Sequence, residues 1–180
     1  MIAVVPYREG WAHEFARWSK RIAECLGPRA LRIDHIGSTS VPGLAAKDVI
    51  DIQVTVANLA DADPLTVAGF RAQPFLEDHC PPGASADARE WQKRFFNFPE
   101  GDRRGNVHVR VEGRANQRYA LLFRDYLRAH PNAAEAYARL KLQLAKELAD
   151  EAAYPDVKDP ACDLILVAAE EWAAAGRWEP

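Results

Sequence analysis

The sequence contains no hydrophobic run approaching the roughly 20 apolar residues needed to span a bilayer, so no membrane-crossing helix is expected. Cysteine is scarce: Cys25, Cys80 and Cys162 are odd in number, far apart and form no CxxC pair. That excludes a disulfide framework and points to the reducing cytosol. A basic surplus is missing too, since the formal net charge is −3. Nonspecific nucleic-acid binding needs a basic footprint, so a nucleic-acid partner is not expected. The N-terminal MIAVVPYREGWAHEF has neither a basic leader nor a long apolar stretch, unlike a signal peptide. Internal repeats, low-complexity tracts and a linker are also missing, so residues 1–180 read as a single domain.

A chain of 180 residues can bury roughly 70% of its unfolded surface and needs no metal or disulfide to fold. Hydrophobic residues make up 48% and charged residues 27%, the proportions of an ordinary soluble globular protein. Trp11, Phe15, Trp18 and Ile22 recur at helical spacing over Arg8–Leu26, and Gly27-Pro28 ends that helix. Leu31–Ile36 reads as a strand. A loop over Ser38–Ala46 leads to the clearest strand, Val49–Val56. There Ile50, Ile52, Val54 and Val56 alternate with Asp51, Gln53 and Thr55, which places the polar set on one face.

Asp63 and Pro64 mark the start of a short helix. Residues 73–88 read as a loop and a candidate mobile flap. Glu90–Phe98 and Asn106–Glu112 read as a hairpin across PEGDRRG, the second strand alternating Val107, Val109 and Val111 with Asn106, His108 and Arg110. After Gly113 the pattern turns helical. Apolar stripes run through Tyr119–Leu127 and Tyr137–Leu148, and a last helix covers about 159–175 with Leu164, Val167, Ala168 and Trp172. The expected class is α+β: a sheet-containing core over about 1–112 and helices over about 113–180.

The candidate site starts at Gly37-Ser38. Glycine lets the backbone approach an anion closely, and exposed N–H groups and hydroxyls donate to phosphate oxygens. Thr39 follows in the same turn, and the alternative is a strand-ending turn bonded to its own backbone. Asp51 is a carboxylate flanked by aliphatic residues, so it needs a partner: either Mg²⁺, which accepts one or two carboxylates plus phosphate oxygens, or a nearby Arg or Lys. Gln53 stands on the same face, where a second metal-binding carboxylate would complete the pair. If the two alternating strands are neighbours, His108 and Arg110 converge with Asp51 and Gln53. His108 is then a candidate general base, metal ligand or phosphate contact, or else a structural hydrogen bonder. Arg94 and Arg110 are candidate phosphate clamps, with Lys47 as a further cation, or else surface charges. Arg124, Lys141 and Lys158 are helix-borne cations that would add positive charge if they fold back over the sheet.

HIGSTSVPGLAAKDVIDIQV, NVHVRV, FRDYLRAHP and AYARLK together resemble the GrpB family along nearly the whole chain. GrpB-like domains also occur fused to dephospho-CoA kinase. The resemblance implies a nucleotidyltransferase-like fold, in which a Gly-Ser turn (here Gly37-Ser38) precedes an Asp-apolar-acid-apolar strand (here Asp51-Ile52-Gln53-Val54). Under that likeness Gly37, Ser38 and Asp51 carry over, Gln53 replaces the second acid, and His108 stands where a third is expected. The implied ligand is a nucleotide or other phosphorylated small molecule with Mg²⁺. The catalytic candidates are Asp51 and His108, the metal candidates Asp51 and Gln53, and the ligand-binding candidates Gly37, Ser38, Thr39, Lys47, Arg94 and Arg110. Two functions follow: nucleotidyl transfer, or a noncatalytic binding or folding-aid module. The protein partners to consider are a second copy of the chain and dephospho-CoA kinase.

Overall fold

The computed structural model describes residues 3–150 and 152–179; the extreme ends of the expected 1–180 unit lie outside them. The elements in chain order are β1 (Val4–Val5), α1 (Gly10–Leu26), β2 (Arg32–Ile36), β3 (Ala46–Lys47), β4 (Ile50–Val56), α2 (Asp63–Val67), β5 (Arg71–Gln73), β6 (Arg94–Asn97), β7 (Gly105–Val111), α3 (Ala115–Ala129), α4 (Pro131–Glu147) and α5 (Tyr154–Trp172). Five strands form a mixed sheet in the order β2-β4-β7-β6-β5, and β1 pairs with β3 beside it. Strands β4 and β7 are parallel, with Asp51 opposite Asn106 and Gln53 opposite His108; the other neighbours are antiparallel. This is the α+β class expected from the sequence.

Period-two alternation determines the layers. Ile50, Ile52, Val54 and Val56 of β4, with Val107 and Val109 of β7, lie on one face and pack against Trp11, Trp18, Ile22 and Leu26 of α1. Trp18 stacks on Phe98 at a ring-centroid distance of 4.0 Å. Each fully buried aliphatic or aromatic side chain of this layer is worth about 1.5–3 kcal/mol. The opposite face, polar in sequence, is also covered. Helix α3 and residues 76–93 lie across it, and a buried network centred on Asp78 joins several of its polar groups, although Thr55 Oγ1, His108 Nδ1 and Asn116 Oδ1 have no partner among the described residues. Arg110 donates to Asp78 through Nε (2.8 Å) and Nη2 (3.0 Å), and Lys93 donates to Asp78 at 2.6 Å. Asn116 of α3 donates to Asp78 and to the Gln92 carbonyl.

Several sequence boundaries shift. The expected strand over Glu90–Phe98 is strand only at Arg94–Asn97, because residues 88–90 form a 3₁₀ turn capped by Asp87. The 73–88 loop is anchored at Glu77, which bridges to Gln92, at Asp78, and at His79, whose Nε2 lies 3.0 Å from Asp163 of α5. The last helix begins earlier than 159, at Tyr154, with Pro155 in its first turn, where no N–H is required. Its apolar stripe is also displaced. Cys162, Leu166 and Ala169 are buried, whereas Leu164 is 74% and Val167 58% exposed. Among the described residues, no helix is long and apolar enough to cross a membrane.

Candidate functional site

At the end of the sheet where β2 leaves and β4 and β7 begin, a cleft of about 720 Å³ opens between the strand ends and helices α3 to α5. Asp51 and Asn106, paired in register, form its floor. The Gly37-Ser38 turn forms one edge. Gly37 has φ 68° and ψ −175°, a conformation open essentially only to glycine. A Cβ there would sit 2.6 Å from Asp51 Oδ2, so the backbone is pressed against the carboxylate. The turn is locked from within: Ser40 Oγ donates to the Gly37 carbonyl at 2.6 Å and Ser40 N–H to the same oxygen at 3.2 Å.

Asn106 Nδ2 donates to Asp51 Oδ1 at 2.7 Å, and Asn97 Nδ2 donates to Asn106 Oδ1 at 2.9 Å. Asn106 is the site residue that sequence reasoning passed over. It was in the right phase with His108 and Arg110, but a neutral amide gives no charge signal. His108 Nε2 lies 3.6 Å from Asp51 Oδ1 and does not line the cleft. It stands behind the carboxylate. Burial pushes its pKa below the ordinary value; Asp51 pulls it up, while Arg110 and Lys93 push it further down. His108 therefore faces Asp51 from behind the cleft floor rather than lining the cleft.

Three expected site residues are elsewhere. Gln53 is 0% exposed. Its Oε1 accepts from Arg110 Nη1 at 2.6 Å and its Nε2 donates to the Gln117 carbonyl at 3.0 Å, so its oxygen is engaged inside the sheet–α3 layer. Arg110 has its guanidinium in the same buried network and does not line the cleft. Arg94 pairs with Asp63 of α2 and donates to the Leu59 carbonyl, also outside the cleft. For Gln53 and Arg110 the physical reason is shared: α3 and residues 76–93 seal the polar face beyond Asp51, and only its first pleat remains open; Arg94, in register with Val109, projects from the opposite face towards α2.

Thr39 and Lys47 do line the cleft. The Thr39 hydroxyl donates to the Val49 carbonyl at 3.3 Å and lies 3.0 Å from His35 Nε2, so it braces the turn. Lys47 Nζ sits 3.7 Å from the Tyr154 ring centroid, a cation–π distance. The helical cations divide. Arg124 bonds Asp125, Asp34 and the His35 carbonyl behind the turn. Lys141 and Lys158 do reach the cleft. Lys141 Nζ donates to Ser38 Oγ at 2.9 Å and to the Ala45 carbonyl. Lys158 Nζ lies 3.2 Å from Cys162 Sγ and 3.5 Å from Asp159. Tyr119, Phe123, Tyr137 and Tyr154 complete an aromatic wall.

The donors test the expected magnesium. Among the described residues, no group of three or more His, Cys, Asp or Glu side chains is placed to hold a metal ion. Asp51 lies at the cleft floor, Glu100 and Asp102 line the cleft elsewhere, and Gln53 is turned away. That set does not fit a preformed two-metal centre. It does fit a magnesium whose remaining ligands are water and phosphate oxygens.

An α+β sheet with a Gly-Ser turn clamped on the first carboxylate of a parallel strand pair defines the structural class. A family model described as GrpB protein matches residues 1–167; the chain belongs to the GrpB family. It is 38% identical over 198 residues to a protein named dephospho-CoA kinase from Mycolicibacterium paratuberculosis, covering 99% of this chain and 48% of that one. The chain thus spans about half the length of the first curated relatives it matches. It is 33% identical over 180 residues to the UPF0157 protein SCO7215 of Streptomyces coelicolor, covering 98% of this chain and 87% of that one. The crystal structure of the conserved protein GrpB from Enterococcus faecalis superposes with a TM-score of 0.77 at 28% identity, over 94% of this chain and 99% of that one.

Proposed function

We propose that this protein binds a nucleotide or another phosphorylated small molecule in the cleft, with nucleotidyltransferase-like chemistry. The carrying observation is the Gly37-Ser38 turn packed on Asp51 at the floor of a cleft walled by Lys47, Lys141 and Lys158 and by four aromatic rings. Lysines and a glycine turn suit phosphate, and aromatic rings suit a planar base. Asp51 would hold Mg²⁺ together with the ligand's phosphates; the ion would supply charge neutralisation there. Asn106 and His108 fix the Asp51 rotamer, so the carboxylate is preorganised before a ligand arrives.

The second reading is a noncatalytic binding module, favoured by one observation. Gln53 is neutral and committed to Arg110 and Gln117, so the second acid of a transfer site is missing in both charge and direction. The relatives named dephospho-CoA kinase add a partner class to this reading: a kinase of that type, or a second copy of the chain. Titration with a panel of nucleoside triphosphates, with Mg²⁺, Mn²⁺ or EDTA, separates the two readings. Transfer requires metal-dependent binding and pyrophosphate release that Asp51→Ala abolishes. Affinity that survives EDTA without turnover supports the module. Absence of binding to every nucleotide tested refutes the shared premise.

A further inference from the structure

Lys141 is a buried cation that none of the ion pairs among the described residues includes. It is 3% exposed, projects from α4 into the cleft, and touches Ser38 and the Ala45 carbonyl across 103 and 96 residues of chain. Those are neutral acceptors. None of the ion pairs among the described residues gives it a carboxylate. A buried ammonium without a counter-charge costs several kcal/mol, and here its neighbours worsen the balance. Lys158 of α5 lies in the same wall, and its charge acts against that of Lys141. Facing them are Tyr137 of α4, whose ring centroid is 4.7 Å from Lys141 Nζ, Tyr154 of α5, and the Cys162 thiol 3.2 Å from Lys158. Asp159 lies 3.5 Å from Lys158. Lys141, Lys158 and the Ser38 hydroxyl thus meet at the cleft, and among the described residues Lys141 has no carboxylate paired with it.

We propose that Ser38, Lys141 and Lys158 form a polyphosphate subsite, and that Lys141 takes up a proton as the ligand's phosphates arrive. The proposal rests on the reading of the cleft as a phosphorylated-ligand site. It relocates the phosphate clamp from the strand-borne arginines expected in sequence to lysines on the C-terminal helices. Burial, and then the Lys158 charge, push the Lys141 ammonium down to about 7, with the Cys162 sulfur acting in the opposite direction. In the ligand-free protein at pH 8 the amine is therefore largely neutral. A phosphate oxygen in contact restores the charged form, since an opposite charge within about 4–6 Å favours ionisation. Cleft binding would then be linked to pH from a group outside the Asp51 centre.

The test is calorimetric titration of the full chain with inorganic tripolyphosphate at pH 8, without metal, in two buffers of different ionisation enthalpy. Wild type is expected to take up close to one more proton per bound ligand than Lys141→Arg, whose guanidinium is permanently charged. That difference isolates Lys141 from the ligand's own titration. Lys141→Arg retains binding, whereas Lys141→Met and Lys158→Met each lose at least tenfold in affinity. Thermal unfolding without ligand separates this from a structural role: Lys141→Met is expected to leave Tm unchanged or raise it. Equal proton uptake in wild type and Lys141→Arg overturns the proposal, as does unchanged affinity in both Met variants. The wider reading fails separately. If tripolyphosphate behaves as described but nucleotides gain nothing over it, the nucleotide assignment falls and the subsite stands. If nucleotide binding depends on Asp51 but not on Lys141 or Lys158, the subsite falls and the nucleotide assignment stands.

Discussion

Gly37→Ala is the sharpest probe of the cleft, because two independent costs meet at one methyl group. The backbone at φ 68° and ψ −175° costs a non-glycine residue about 1–3 kcal/mol. The added Cβ would also lie 2.6 Å from Asp51 Oδ2 and 3.1 Å from Asp51 Cβ and Cγ. Ordinary carbon contacts are about 3.5–4.0 Å, so the carboxylate must retreat by roughly 1 Å or the turn must open. Retreat stretches the 2.7 Å bond from Asn106, whose loss adds about 1 kcal/mol. The expected total is about 2–4 kcal/mol. At about 2–4 °C per kcal/mol for a chain of this size, Tm should fall by about 4–16 °C.

A double-mutant cycle with Asp51→Ala locates the clash. Removing Cγ and both oxygens relieves the steric part and leaves the backbone part, so the two substitutions should couple by about 1 kcal/mol or more. Chemical denaturation of wild type, both single variants and the double variant measures this directly. Full additivity, or a Gly37→Ala protein as stable as wild type, would refute the account of the turn as pressed against the carboxylate.

Asp78→Ala leaves Arg110 and Lys93 buried without their acid and should cost about 3–5 kcal/mol, read from urea midpoints. In acid the same residue acts through linkage. Burial alone would raise its pKa, but the Arg110 guanidinium and Lys93 carry it well below the carboxylate range. Its contribution is therefore complete above the unfolded value of about 4 and is lost as pH falls below it, so Asp78→Asn should flatten the acid limb of the stability curve. His35 adds a second window. Burial lowers it to about 4, against the pull of Asp51 and with Arg128 and Arg124 adding to the drop. The unfolded chain binds the proton first, so stability should decline as pH falls from about 6.5 towards 4, by on the order of 3 kcal/mol at most. A slope in that window unchanged in His35→Phe would contradict this. Asn106→Asp places a second carboxylate beside Asp51 and should tighten Mn²⁺ binding more than tenfold by calorimetry. Gln53→Asp, buried against Arg110, should not; the reverse order would reject the assignment of the cleft floor.

Much of the fold was legible from side-chain periodicity. The alternation of Ile50, Ile52, Val54 and Val56 with Asp51, Gln53 and Thr55 identified β4 and its two faces, and the Trp11–Trp18–Ile22 spacing identified the buried side of α1. These are local consequences of strand and helix geometry. The displaced apolar stripe of α5 was less legible. Leu164 and Val167 have the right hydrophobicity and spacing, and only the packing of α5 against α3 and α4 chose Cys162, Leu166 and Ala169 instead.

The sequence by itself determined the Gly37-Ser38 turn and the lone carboxylate on the following strand, because a tight turn and an isolated charge are written in neighbouring residues. The tertiary structure decided how the rest of the site was assigned. Gln53, His108 and Arg110 share the polar phase with Asp51, yet α3 and residues 76–93 close over them, and desolvation commits Gln53 and Arg110 to each other. Lys141 reaches Ser38 from a helix more than a hundred residues away. Strand phase can say which face a residue shares, but it cannot say where along that face the protein leaves room for a ligand.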